Sequence, residues 1–123
     1  MPIAVGIDLV EVEEVEEALR RHGERYLRRI YTDHEQRDCE GDPRRLAARF
    51  AAKEATMKAL RRSGEPLPWR AIGVRMGPAG QPELELTGAA AQLADDRGVN
   101  GLSVSLNRGR GDAAALVLAE CAR

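Results

Sequence analysis

Apolar residues fall along this chain in changing rhythms. From Ile3 to Val10 they are nearly continuous and β-branched, which predicts a short buried strand with Asp8 as its one charged residue. From Glu11 the spacing becomes helical. Val12, Val15 and Leu19 recur with Glu11, Glu13, Glu14, Glu16 and Glu17 between them, so residues 11 to about 22 read as an amphipathic helix that stops at His22-Gly23. Arg25 to Ile30 continues helically, and Thr32-Asp33-His34-Glu35 has the Thr-x-x-Glu form of a capping box that starts another short helix. Asp42 and Pro43 are an N-cap and a first-turn proline for the strongest helix, from Pro43 to about Arg62, closed by Ser63-Gly64.

Beyond that helix the texture is β-like. Pro66 and Pro68 mark a loop, Ala71 to Met76 alternates as a strand, Pro78-Ala79-Gly80 turns, and Glu83 to Leu86 returns. Thr87 to Arg97 is helical by its alanines and its closing Gly98. Leu102, Val104 and Leu106 alternate with Ser103 and Ser105, Asn107 to Asp112 forms a turn, and Ala113 to Glu120 is the last strand. Helices in the first half and mostly antiparallel strands in the second define an α+β fold.

Size and charge narrow the functional classes. A chain of 123 residues supports one small domain, residues 1–123, and is too short to enclose a deep cofactor cleft by itself. Nineteen Lys and Arg against 20 Asp and Glu give a net charge of -1, which argues against a nucleic-acid binder that works by bulk phosphate neutralisation. Cys39 and Cys121 are far apart, without metal-ligand or disulfide-framework spacing, so they read as free thiols of a reducing cytoplasm. The N-terminus lacks a basic region and meets Asp8 early, unlike a signal peptide, and no apolar run approaches the roughly 20 residues of a membrane span. The expectation is a cytoplasmic protein without membrane contact.

The long helix carries an anomaly. Leu46, Phe50, Met57 and Leu60 mark an apolar stripe, yet Lys53 and Glu54 stand where a further hydrophobe is due. Glu54 and Lys58 are four apart, share a face and can pair with each other as an ordinary surface ion pair. Asp8, at the end of a strand, reads either as an N-cap for the following helix or as a functional carboxylate. Placed beside Glu54 it would complete a hard oxygen site of the kind Mg²⁺ occupies together with waters and substrate phosphates. Spacing alone leaves these readings open.

The same residues carry a family resemblance. Gly6-Ile7-Asp8-Leu9-Val10-Glu11-Val12 resembles the N-terminal motif of the holo-acyl-carrier-protein synthases. Arg49-Phe50-Ala51-Ala52-Lys53-Glu54-Ala55-Thr56-Met57-Lys58-Ala59 is similar to their second signature, Arg-Phe-Ala-Ala-Lys-Glu-Ala-x-x-Lys-Ala. Gly80-Gln81-Pro82 matches a Gly-x-Pro turn and Val104-Ser105-Leu106 the start of their last motif. The resemblance implies a small 4′-phosphopantetheinyl transferase fold, a mostly antiparallel sheet packed on a long helix, assembled as a homotrimer with sites at subunit interfaces. It implies transfer of phosphopantetheine from coenzyme A to a Ser of an apo acyl or peptidyl carrier protein, with release of adenosine 3′,5′-bisphosphate. Asp8 and Glu54 would hold Mg²⁺. Glu54 would also activate the Ser hydroxyl and Lys58 would stabilise the phosphate. Arg49 would reach the nucleotide phosphates from a neighbouring subunit, and Gly80 and Pro82 would border the adenine.

Two positions depart from the family pattern. Asn107-Arg108-Gly109 replaces the Ser/Thr-His-Thr of the last motif, which gives the phosphate-contacting role to Arg108, a permanently charged bidentate donor, beside Asn107. Glu14 stands where the family presents a key Arg to the acidic carrier protein. It belongs either to a plain solvated acidic face or to altered carrier recognition: a less acidic partner, or docking moved to Arg20, Arg21, Arg25, Arg28 and Arg29. A degenerate homologue that binds coenzyme A or a carrier protein without turnover is the alternative reading.

Overall fold

The computed structural model describes residues 2–61, 64 and 67–122. Strand β1 (Ile3–Glu11) leads into helices α1 (Val12–His22), α2 (Glu24–Ile30), α3 (Asp33–Cys39) and α4 (Pro43–Leu60). A 3₁₀ turn at Trp69–Ala71 precedes β2 (Ile72–Met76), β3 (Pro82–Leu86), α5 (Gly88–Asp96), β4 (Val99–Arg108) and β5 (Asp112–Cys121). Among the described residues the strand pairs are antiparallel and form two separate sheets: three strands in the order β1-β5-β4, and a β2-β3 hairpin. The α+β reading holds, and α4 lies across the three-stranded sheet as its main packing partner.

The local punctuation behaves as its chemistry dictates. Thr32 Oγ1 accepts from the Glu35 backbone N–H while the Glu35 carboxylate accepts from Thr32 N, completing the capping box of α3. Asp42 accepts from Arg44 N at the start of α4, with Pro43 in its first turn. Helix α4 ends at Leu60, short of Arg62, with Arg61 as its C-cap; Arg62, Ser63 and Pro66 lie outside the described residues. Strand β4 runs further than its alternation suggested. Asn107 and Arg108 pair with Ala114 and Ala113, so the turn shrinks to the residues between Arg108 and Asp112.

Helix α4 is buried over most of its circumference, not along one stripe. Ala47, Ala48, Ala51, Ala52, Ala55 and Ala59 join Leu46, Met57 and Leu60 in the interior. Small side chains let the sheet approach closely, and Gly6 of β1 takes this to its limit. A Cβ at Gly6 would lie 1.8 Å from the Ala55 carbonyl oxygen. The strand therefore rests directly on the helix backbone, and Asp8, two residues on and on the same face, arrives beside α4.

Strand β1 is not buried on both faces, as its continuous apolar run suggested. Ile3, Val5, Ile7 and Leu9 are 60%, 51%, 62% and 63% exposed. Leu118 and Leu116 of β5 stand opposite Val5 and Ile7, so the outer sheet face carries a contiguous apolar patch.

Candidate active site

Two groups of side chains emerge from this scaffold. The first lies where β1 crosses α4. Lys58 Nζ is 2.7 Å from Asp8 Oδ1 and also donates to the Ile7 carbonyl at 3.0 Å. The Glu54 carboxyl is hydrogen-bonded to that of Asp8 and is pushed up to about 7, first by burial, then by this hydrogen bond and by the Asp8 charge, with Lys58 opposing. Lys58 thus pairs with Asp8 and not, as helical spacing suggested, with Glu54. Nor does Asp8 cap α1, whose N-cap is Glu11 without a side-chain bond.

Two carboxylates in contact repel unless they share a proton or a cation. Their oxygens are the donor set that Mg²⁺ or a similar hard cation favours. Among the described residues no group of three or more His, Cys, Asp and Glu forms a metal site, so a cation here would complete its shell with water and substrate oxygens. The residues fit such an ion.

The second group lines a cavity of about 450 Å³. Arg45, Ala48 and Arg49 come from α4, Met76, Gly80 and Pro82 from the hairpin, Leu106 and Arg108 from β4, and Asp38 from α3. A lining that mixes arginines with apolar side chains suits a ligand that combines phosphate with an aromatic ring. Arg49 is only 3% exposed; its guanidinium donates to Asp38, and its Nε is buried without a partner. Asn107 is not among the lining residues, because on a strand it projects from the face opposite Leu106 and Arg108. Arg45 belongs to the arginine cluster at 44 to 49, whose charge suits phosphate, whereas sequence reasoning missed Asp38, an acid with no motif to mark it.

The two groups face different ways. Arg49 and Glu54 are five residues apart on α4, roughly 140° around a helix of 3.6 residues per turn.

This fold and these two groups define a small transferase of phosphate-bearing groups, and the comparisons sharpen the class. The family model of the 4′-phosphopantetheinyl transferase superfamily matches residues 4–117, so the chain belongs to that superfamily and is one of its enzymes. It is 39% identical over 123 residues to a holo-[acyl-carrier-protein] synthase of Herpetosiphon aurantiacus, covering 94% of this chain and 97% of the relative. A synthase of the same name from Brucella ovis is 45% identical over 96 residues, covering 75% of this chain and 72% of the relative. Among solved structures, the Chronobacterium ammoniagenes ACPS–CoA complex superposes with a TM-score of 0.87 at 30% identity over the whole of both chains. The Helicobacter pylori synthase in complex with coenzyme A superposes with a TM-score of 0.84 at 28% identity, covering 94% of this chain and 99% of that one. Among the described residues no helix is long and apolar enough to cross a membrane.

Proposed function

We propose that the protein transfers the 4′-phosphopantetheine group of coenzyme A to a Ser hydroxyl of an apo acyl or peptidyl carrier protein in the cytoplasm, releasing adenosine 3′,5′-bisphosphate. The observation that carries this reading is the contact between the Asp8 and Glu54 carboxyls beside Lys58, with Glu54 held near neutrality. Burial and the Asp8 carboxyl raise the proton affinity of Glu54, and a positioned carboxylate of that kind is suited to take a proton from a substrate hydroxyl. Glu54 takes the proton of the carrier Ser as its oxygen bonds to the pantetheine-side phosphorus. The bond to the adenosine-side phosphate oxygen breaks, and Lys58 offsets charge on the transferring group. Asp8 and Glu54 would hold Mg²⁺, which when bound supplies charge compensation on the diphosphate. Arg45, Arg49 and Arg108 bind the nucleotide phosphates, and Gly80 and Pro82 border the adenine.

The divergence of the two groups around α4 supports a site completed by a second copy of the chain. The exposed patch of Ile3, Val5, Ile7, Leu9, Leu116 and Leu118 supports burial between copies, and a homotrimer places three such sites at its interfaces. Light scattering at micromolar concentration tests this; a monomer would refute it.

Carrier docking on α1 and α2 follows from which arginines are engaged. Arg20 and Arg21 pair with Glu17, and Arg28 with Glu24. Arg25 and Arg29, with no ion pair among the described residues, line a groove with His22, Tyr26 and Ile30. Tyr26 and Glu14 both act electrostatically on Glu54 or feel it, so this surface adjoins the carboxylates. The deciding assay incubates the protein with coenzyme A and apo carrier protein, with and without Mg²⁺, and reads the phosphopantetheine mass increase on the carrier. Coenzyme A binding without transfer would identify the non-catalytic homologue instead.

A further inference from the structure

Helix α4 places Lys53 immediately before Glu54, yet Lys53 takes no part in the carboxylate cluster. Its Nζ is 2.7 Å from Glu35 Oε1, and both side chains are 0% exposed. The same ammonium donates to the Trp69 carbonyl at 3.2 Å and to the Ile72 carbonyl. Three acceptors match the three protons an ammonium offers. Glu35 in turn accepts from Thr32 N and, through its other oxygen, from Val74 N at 2.9 Å. Burial lowers the Lys53 pKa and Glu35 opposes that shift. The Tyr31 ring centroid lies 5.7 Å from the cation.

Ile72 and Val74 are the inner residues of β2, and the groups in question point away from β3, toward α3 and α4. A buried strand edge needs a partner for each carbonyl and N–H. Lys53 satisfies the carbonyl and Glu35 the N–H, so the ion pair does for β2 what a neighbouring strand would. Among the described residues no backbone ladder joins this hairpin to the three-stranded sheet. Apolar packing of Ile72, Leu84 and Leu86 on Met57 and Ala71, and of Val74 in the main core, holds it close, and the ion pair adds directional bonds to its backbone.

We propose that the Glu35–Lys53 pair is a positioning device for the nucleotide cavity, docking the β2-β3 hairpin on α4 so that Gly80, Pro82 and Met76 stand opposite Arg49 and Arg108. The proposal rests on the reading that coenzyme A occupies that cavity. Lys53 lies one helical turn after Arg49 on the same face, so the tie acts beside the buried guanidinium. Nothing in this role touches the reacting atoms; it sets the distance between two walls of the binding site.

The test combines Glu35→Gln with Lys53→Met, which removes both buried charges together and leaves neither unpaired. Moving one wall of the cavity away from the other loses contacts to the ligand, and a single charge-assisted hydrogen bond is worth about tenfold in affinity. The double variant should therefore melt cooperatively, with KM for coenzyme A raised about tenfold or more and kcat changed by less than about threefold. KM for the carrier protein should not move. A folded double variant with an unaltered KM for coenzyme A would overturn the proposal.

Hydrogen exchange on the unmodified protein gives a second measurement that needs no variant. The Val74 amide should exchange as slowly as the central amides of α4, and exchange at the rate of the Gly80 turn would also overturn the tie. Failure of the unmodified protein to bind coenzyme A would refute the functional reading instead, and Val74 exchange would still report on the hairpin docking.

Discussion

Lys53 and Glu54 are consecutive residues of one helix and inhabit opposite electrostatic conditions. Lys53 is sealed from water, matched to one carboxylate and two carbonyls, with every proton used. Glu54 is partly buried against another acid, and its charge is in conflict with its surroundings. The first arrangement stabilises one geometry; the second leaves a demand that a proton, a cation or a substrate can meet. Satisfaction marks the structural side of α4 and frustration its chemical side.

The largest expected effect breaks the chemical side alone. Glu54→Gln should reduce transfer by about 10³-fold or more, while the melting temperature at pH 8 stays level or rises because an unfavourable charge is gone. Retained transfer would refute the role of Glu54.

Gly6→Ala attacks the scaffold that brings Asp8 to Glu54. With 1.8 Å available to the new Cβ, strand and helix must separate. Urea denaturation should show a loss of about 3 kcal/mol, with transfer falling in parallel.

Arg108→Ala, on the cavity wall, should raise KM for coenzyme A about tenfold, the worth of one charge-assisted hydrogen bond, with kcat little changed. An unaltered KM would remove Arg108 from the phosphate site.

The pH dependence sharpens the contrast further. The folded pKa of Glu54, about 7, lies above its ordinary value of 4.5, so between these values the folded state binds the extra proton. Without divalent cations, stability should decline as pH rises through that window, and Glu54→Gln should flatten the decline in thermal melts. The smallest effect belongs to Thr32→Ala, which removes one bond of the α3 capping box and should cost about 1 kcal/mol with no change in KM for the carrier.

Elements with strong local punctuation were legible in the sequence: the Thr32-x-x-Glu35 box, Asp42-Pro43, and the turn at Gly80 all stand where their chemistry requires. The carboxylate cluster was legible in its members but not in its pairing, because helical spacing favours Glu54 with Lys58 while the crossing of β1 delivers Asp8 to Lys58. Lys53 stood out as a charge in an apolar setting, yet two of its three partners are backbone carbonyls, which have no sequence signature. Glu35 concealed a second role behind a complete capping motif. The exposed face of β1 was hidden for a different reason: an apolar run looks the same whether its cover comes from the same chain or from another.

The pairing of β1 with β5 has a consequence in time. Ile3 stands opposite Glu120 and Asp8 opposite Ala115, so the first strand made waits for the last before it has a neighbour. Such distant pairing closes the longest loop the chain possesses and is a slow step in assembly. Asp8 meets Glu54 through the seat of β1 on α4, and β5 supplies the ladder that holds the strand there, so a chain truncated before β5 keeps both acids and their helix but loses the strand that fixes Asp8 against it.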